Sequence, residues 1–101
     1  MTILSKSEAI AELQRHAKAV QELGATSLYL FGSVARDEAD AGSDLDLFID
    51  YDRDSRFNAF DLVGIKQYLE NELGTGVDVT TRDGLHPMLR ADIEKSAIRV
   101  F

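Results

Sequence analysis

The chain of 101 residues contains no cysteine, no tryptophan and one proline, and it has only 11 Lys and Arg against 18 Asp and Glu. Without cysteine it can form neither a disulfide framework nor a zinc-thiolate site, and we expect a cytoplasmic location. The net charge of −7 and the lack of a basic cluster argue against nucleic acid as a partner, because such binding depends mainly on Lys and Arg. No apolar run is long enough for a signal peptide or a membrane span.

The most informative pattern lies in the middle of the chain. Gly32 and Ser33 end an apolar run at 28–31, and ten residues separate Ser33 from Asp44 and Asp46, which begin a second apolar run. Charged residues are depleted in strands, so two aspartates at alternate positions need a physical reason. Alternate residues of a strand share one face, roughly 6.5–7 Å apart. Two carboxylates so placed can bind one divalent metal ion such as Mg²⁺.

The Gly-Ser pair predicts a phosphate-binding turn. Gly32 allows the backbone to approach a ligand closely. Ser33 can cap a short helix over 34–36, whose free N–H groups suit an anionic phosphate. Together with the two aspartates, this turn indicates a site for a nucleotide and a metal ion.

The order of predicted elements indicates an α/β fold in a single small domain, 1–101, with a short mixed sheet flanked by helices. In chain order we predict a helix from Ser5 or Ser7 to Gly24, a strand at 27–31, a short helix at 34–36, a polar loop at 37–42, a strand at 44–51, a helix at 57–73, a strand at 77–80, a helix with Pro87 in its first turn and Leu85, Leu89 and Ile93 on its buried side, and a short edge strand at 98–101.

Two other features have simpler interpretations. The acidic stretch at 50–61 imitates an EF-hand calcium loop, but Ser55 replaces the required glycine and Asp61 replaces the bidentate glutamate. A solvated acidic turn is the better interpretation, although Asp50 shares a strand face with the paired aspartates and can stand near the site. His16 lies among polar neighbours and is predicted to be a solvated surface residue.

Gly32-Ser33, ten residues and then Asp44-Leu45-Asp46 resemble the signature of the minimal nucleotidyltransferases of the DNA polymerase beta superfamily. The resemblance implies a nucleotidyltransferase fold and a third carboxylate on the strand after the next helix, where this chain has Asp78. It implies that Asp44, Asp46 and Asp78 are catalytic and bind two Mg²⁺ ions (or Mn²⁺), with ATP as substrate. Gly32 and Ser33 would hold the β and γ phosphates.

Arg36 has two interpretations. Its position after the Gly-Ser pair allows it to bind a phosphate, and an ion pair with Asp37 or Glu38 is the alternative. Many relatives in the family have glycine directly after this arginine, where this chain has Asp37. The difference affects the expected shape of the loop and the role of Arg36, not the metal site.

The resemblance also implies a reaction, the transfer of a nucleoside monophosphate to a hydroxyl with release of pyrophosphate. Small members are often the antitoxin of a pair whose toxin is a helical HEPN ribonuclease, which makes adenylylation of a partner protein the first hypothesis. Transfer to a small molecule is a second hypothesis, but its known enzymes usually carry a further substrate domain, for which 101 residues leave no room. A non-catalytic module that sequesters the toxin is the third.

Overall fold

The computed structural model describes residues 5–40 and 44–101 of the chain, so residues 41–42 of the predicted polar loop lie outside the described part. The elements of the described part follow in chain order: α1 (Lys6–Arg15), α2 (Ala17–Glu22), β1 (Ala25–Phe31), α3 (Gly32–Ala35), β2 (Leu45–Tyr51), α4 (Ala59–Leu73), β3 (Val77–Thr81), a 3₁₀ turn (Arg82–Gly84), α5 (Arg90–Ser96) and β4 (Ile98–Arg99).

The strands of the described part form one sheet in the order β3-β2-β1-β4. Strand β1 runs antiparallel to β2 and to β4, whereas β2 and β3 are parallel. A parallel pair needs a crossover connection, which α4 supplies. The predicted α/β class, with a short mixed sheet and flanking helices, is confirmed.

Side-chain caps explain where α1 and α4 begin. Ser5 Oγ accepts a hydrogen bond from the Glu8 N–H at 3.2 Å. At α4, Asn58 Oδ1 accepts from the Asp61 N–H at 3.3 Å, and the Asp61 carboxylate accepts from the Asn58 N–H at 2.9 Å. Helix α4 ends at Gly74, whose φ of 66° is left-handed and therefore suits glycine.

The first predicted helix is two helices, because His16 interrupts it between α1 and α2. His16 Nδ1 lies 2.9 Å from Tyr68 Oη in a hydrogen bond, and the two rings meet edge to face at 5.6 Å. The prediction of a solvated histidine is wrong. A contact with α4, which local sequence does not reveal, makes His16 a partly buried link between the α1–α2 junction and that helix.

Apolar side chains of α1, α2 and α4 cover one face of the sheet. Val77 and Val79 of β3 are buried on this face, while Asp78 between them is exposed, as the alternation predicts. The fully buried residues that join helices and sheet are Leu13, Val20, Leu28, Leu30, Leu47, Ile49, Ile65 and Leu69. This core fixes the register of β2 and therefore which of its side chains point to the opposite face.

The opposite face carries aromatic and acidic side chains. Tyr29 and Phe48 stack with ring centroids 4.7 Å apart, and Phe31 tilts against Phe48 at 5.8 Å. Phe48 is fully buried, although it lies outside the main core. The aromatic cluster gives this face a rigid centre, and carboxylates stand around it.

Helix α5 begins three residues later than predicted. Pro87 lies in a turn, and the N–H groups of Leu89 and Arg90 both donate to the His86 carbonyl at 2.9 Å. Leu89, which we predicted to be buried, is 53% exposed because it precedes the helix. Within the described ranges, no helix is both long enough and apolar enough to cross a membrane.

Candidate active site

The Gly32 turn lies directly against Asp46. Phe31, the last residue of β1, pairs with Asp46 of β2, and α3 begins at the next residue. Gly32 has a φ of 77°, and a Cβ atom at this position would overlap Asp46 Oδ2. Glycine is therefore required here both by the backbone and by the neighbouring carboxylate.

Ser33 does not cap α3, which corrects the prediction. The residue before the helix is Phe31, and among the residues that the structure describes no side chain caps the N-terminus of α3. Ser33 instead lies inside the first turn, because α3 already begins at Gly32. Ser33 is partly buried.

The three predicted carboxylates come from adjacent strands. Asp46 and Asp78 are register partners in the parallel β2–β3 pair, so their side chains share one face of the sheet at neighbouring positions. Asp44 directly precedes β2, and its carboxylate lies where a Cβ on Gly76 would stand. Gly76 is thus a site residue that the sequence analysis missed, since the contact joins residues 32 positions apart (76 − 44).

The electrostatics of Asp46 reflect this crowding. Burial raises the pKa of its carboxyl above the ordinary value, and the nearby charges of Asp78 and then Asp44 raise it further. Arg36 acts in the opposite direction but more weakly. Negative charge on this face is therefore incompletely compensated by the protein itself.

Such a donor set fits a hard divalent cation. Mg²⁺ takes carboxylate oxygens, and one or two carboxylates plus substrate phosphates usually suffice. Among residues 5–40 and 44–101, no group of three His, Cys, Asp or Glu side chains is already arranged to hold an ion. Asp44, Asp46 and Asp78 are nevertheless close enough for the charges of Asp44 and Asp78 to act on Asp46.

Arg36 forms an ion pair with Glu38 at 3.0 Å, which is one of the two interpretations that the sequence allows for this arginine. Both side chains are more than half exposed, so the pair contributes little and a stronger anion can replace it. Arg36 also borders a groove of about 310 Å³ between the Gly32 turn and α5. The groove is lined by Phe31, Gly32, Arg36, Leu89, Asp92, Ile93 and Ser96.

Arg82 ties α5 to the same face of the sheet. Its guanidinium donates to both carboxylate oxygens of Asp50 at 2.8 and 2.9 Å and to Glu94 of α5 at 2.7 Å. It also lies 4.9 Å from the ring centroid of Tyr29 and 5.0 Å from that of Phe48. Asp50 therefore shares the face of Asp46, as expected, but it is engaged by Arg82.

The Arg82 network makes stability depend on pH. Hydrogen bonds from Arg82 and then Arg90 hold the pKa of Glu94 below its ordinary value of 4.5. A carboxyl with a lowered pKa stabilises the fold above its ordinary pKa and loses this effect as the pH falls. We expect Arg82→Met to lower the Tm at pH 7 by about 5 °C or more, and the difference from wild type to shrink below pH 4.5.

The matched control for Arg82→Met is Arg53→Met. Arg53 also pairs with an aspartate, Asp83, at 2.7 Å, but its side chain is 74% exposed. An exposed pair contributes little, so the Tm of this control should stay near that of wild type. Thermal unfolding followed by circular dichroism between pH 3 and 7 measures both variants. A Tm difference for Arg82→Met that stays constant over this range would contradict the linkage to Glu94.

The acidic stretch at 50–61 is a turn followed by a helix cap, not a calcium loop. Asp52 Oδ1 accepts a hydrogen bond from the Asp54 N–H at 2.9 Å, and Asp61 belongs to the cap of α4. These carboxylates satisfy local backbone donors. The interpretation as an acidic turn holds, and the candidate site is confined to the Gly32 end of the sheet.

The fold combines a short mixed sheet, a left-handed glycine directly after its first strand and an aspartate at the start of its second strand. The family model described as "Nucleotidyltransferase domain" matches residues 13–100. The chain therefore belongs to the nucleotidyltransferase domain family, as the resemblance implied.

Individual relatives agree with this assignment. A protein of Methanocaldococcus jannaschii, provisionally named protein adenylyltransferase MJ1217, is 33% identical over 90 residues, covering 87% of this chain and 90% of the relative. Protein adenylyltransferase MntA of Thermococcus cleftensis is 30% identical over 100 residues, covering 98% and 95%. A solved structure described provisionally as a minimal nucleotidyltransferase superposes with a TM-score of 0.81 at 32% identity, covering 97% and 98%. The chain is thus a minimal nucleotidyltransferase.

Proposed function

We propose that this chain is a metal-dependent protein adenylyltransferase that transfers AMP from ATP to a hydroxyl group of a partner protein. The observation that carries the proposal is the position of Asp46, which is packed against the Gly32 turn and adjacent to Asp78. The turn offers an approach for a triphosphate, and the carboxylates offer oxygen ligands next to it. Relatives that carry the name protein adenylyltransferase support the choice of nucleotide and of acceptor class.

The chain's own residues would bind and orient the triphosphate. Gly32 presents backbone without a side chain, Ser33 supplies a hydroxyl, and Arg36 exchanges Glu38 for the β or γ phosphate. The acceptor oxygen forms a bond to the α-phosphorus while the bond to the α–β bridging oxygen breaks. Pyrophosphate leaves with that electron pair, and the acceptor's proton passes to solvent. Catalysis of this kind rests on positioning and electrostatic stabilisation.

Asp44, Asp46 and Asp78 would hold Mg²⁺, with Mn²⁺ as a substitute. The raised pKa of Asp46 in the protein alone supports this assignment, because a cation would favour the ionised carboxylate against burial and the nearby charges of Asp78 and Asp44, which raise that pKa. In two-metal sites the bound ions stabilise both the attacking and the leaving oxygen of an in-line displacement. We propose two ions here.

A HEPN-type toxin is the partner that we propose, with this chain as its antitoxin. A structure of a tri-AMPylated Shewanella oneidensis HEPN toxin in complex with an MNT antitoxin contains a chain of the same fold, with a TM-score of 0.65 at 14% identity. The net charge of −7 favours a basic protein surface over nucleic acid as the acceptor. Since ATP is the donor, we place the reaction in the cytoplasm.

Two alternative functions are transfer to a small molecule and sequestration of the partner without catalysis. The groove of about 310 Å³ beside Arg36 is at the small end of ligand pockets, which span about 300–1,000 Å³. It is the feature that favours a small-molecule acceptor. A purely sequestering module would not need Gly32, Asp46 and Asp78 to meet at one end of the sheet.

The test is co-expression with the protein encoded by the neighbouring gene, which is then weighed intact. We expect the neighbour to gain the mass of one or more AMP groups with the wild-type chain and none with Asp44→Asn. Glu72→Gln is the control, because it removes one charge from an exposed position of α4 and should leave the mass gain unchanged. A complex without any adduct would support the sequestering module, and neither complex nor adduct would favour a small-molecule acceptor.

A further inference from the structure

Both main-chain polar groups of Val77, the first residue of edge strand β3, are bound by side chains of α4. The Val77 N–H donates to Glu70 Oε2 at 3.2 Å, and Lys66 Nζ donates to the Val77 carbonyl at 2.7 Å. Lys66 and Glu70 are themselves paired at 3.1 Å, one helical turn apart. These two side chains form a clip, the Lys66–Glu70 clip, on the edge that β3 does not share with β2.

The clip lies where the chain enters β3, directly after a glycine-rich connection. Residues 74–76, which precede Val77, include two glycines, so the chain enters β3 through backbone with few restraints of its own. Val77 is followed by Asp78, and Gly76 before it carries the contact with Asp44. A small shift of Val77 would therefore move Asp78 relative to Asp46 and also open the space occupied by Asp44.

Glu70 is suited to this task because it stays ionised. The hydrogen bond from the Val77 N–H, and then that from Lys66, hold the pKa of Glu70 below its ordinary value. A charge-assisted hydrogen bond to a backbone N–H is stronger than a neutral one. Edge strands usually need some device that satisfies or shields their free groups, and here that device binds the residue directly before Asp78.

We propose that Lys66 and Glu70 are positioning residues, which fix the entry of β3 and thereby hold Asp78 at the metal site. This inference rests on the proposed function, since it takes Asp78 as a metal ligand. The clip acts through the main chain of Val77, on the edge of β3 that faces away from β2.

The test is direct titration of the purified chain with Mn²⁺ alone, following free Mn²⁺ by electron paramagnetic resonance. Residues that orient metal ligands typically contribute 10–100-fold to metal affinity, so we expect Glu70→Ala and Lys66→Met each to raise the Mn²⁺ Kd by about tenfold. Asp78→Asn removes the proposed ligand itself and should therefore show the largest rise in the Mn²⁺ Kd. Glu70→Gln should restore part of the affinity, because its amide oxygen still accepts from the Val77 N–H but lacks the charge that strengthens this bond.

The control is Glu72→Ala, on an exposed position of the same helix, which should bind Mn²⁺ like wild type. Alanine is a strong helix former, so neither alanine variant weakens α4 itself. Faster amide exchange at Val77 in Glu70→Ala, with exchange elsewhere unchanged, would show that the strand entry has loosened.

An unchanged Kd in both Glu70→Ala and Lys66→Met overturns the clip's role even if their Tm falls. Equal and negligible Mn²⁺ binding by wild type and Asp78→Asn overturns the clip and the metal site together. Normal Mn²⁺ binding without AMP transfer to any partner would contradict the proposed function and leave the clip in place.

Discussion

Replacing Asp46 by asparagine should abolish nucleotide transfer and at the same time stabilise the protein in the absence of metal. The variant keeps the shape of the side chain and removes a charge that burial, Asp78 and Asp44 all disfavour. Because the pKa of Asp46 is raised in the folded state, this carboxyl contributes stability that is fully present below its ordinary pKa of 3.8. That contribution is lost as the pH rises through the folded-state pKa, above which the ionised carboxylate disfavours the fold. The asparagine variant should lack this dependence and melt at a higher temperature at pH 7.

The loss of activity should be far larger than the gain in stability. A metal ligand contributes several kcal/mol to stabilising the charge of the transition state, which corresponds to about a thousandfold or more in rate. Thermal unfolding with and without Mg²⁺, together with the transfer rate, measures both effects. Mg²⁺ should raise the Tm of wild type and not that of Asp46→Asn, since only a bound ligand stabilises the native state.

The matched control is Glu72→Gln, which removes the same charge from an exposed position of α4. Its Tm, its response to Mg²⁺ and its transfer rate should all equal those of wild type. If Glu72→Gln raised the Tm as much as Asp46→Asn does, the gain would come from the change in net charge and not from the carboxylate cluster. Transfer by Asp46→Asn at the wild-type rate would refute its role as a metal ligand.

Replacing Gly32 by valine should reduce both stability and activity. A β-branched residue at a φ of 77° is strained by about 1–3 kcal/mol, and its Cβ would also overlap the Asp46 carboxylate. For a domain of this size we expect the Tm to fall by about 5–20 °C. Transfer should be lost even at temperatures where the variant is folded, because the side chain fills the approach to the triphosphate.

Gly74 provides a control, because it has a similar left-handed φ but a side chain there would not overlap a residue of the candidate site. It has a φ of 66°, and a Cβ there would meet no atom of the described part of the chain within 4 Å. Gly74→Val should therefore lose stability through strain alone and keep its transfer rate when folded. If Gly32→Val and Gly74→Val lost the same stability and both kept full activity, the Gly32 turn would have no part in the site.

The fold class and the location of the site could be predicted because their signals are local. Alternation along β2 separates Leu45, Leu47 and Ile49 from Asp46, and the ten-residue spacing after Gly32-Ser33 matches a known family signature. Asp78 was singled out by what the family resemblance implied, and the structure pairs it in register with Asp46. The family is confirmed by the comparisons, while the roles of the individual residues stay predictions.

What the sequence could not reveal are contacts between distant elements. Arg82 joins β2 and α5, and Lys66 with Glu70 holds the entry of β3, but each looks in sequence like an ordinary charged residue. The prediction that His16 is solvated is wrong for the same reason, since its hydrogen-bond partner Tyr68 is 52 residues away. The prediction that Ser33 caps α3 is wrong because the helix begins one residue earlier, at Gly32, and local sequence does not reveal this start.

The most direct test of the account is a crystal structure of the wild-type chain with Mn²⁺ and a non-hydrolysable ATP analogue, with manganese located by anomalous diffraction. We expect manganese bound by oxygens of Asp44, Asp46 and Asp78, and the β and γ phosphates over the Gly32 turn beside Arg36. Manganese at the acidic turn of residues 50–54, or phosphates bound away from Gly32, would contradict the central claim that this end of the sheet is the nucleotidyl-transfer site.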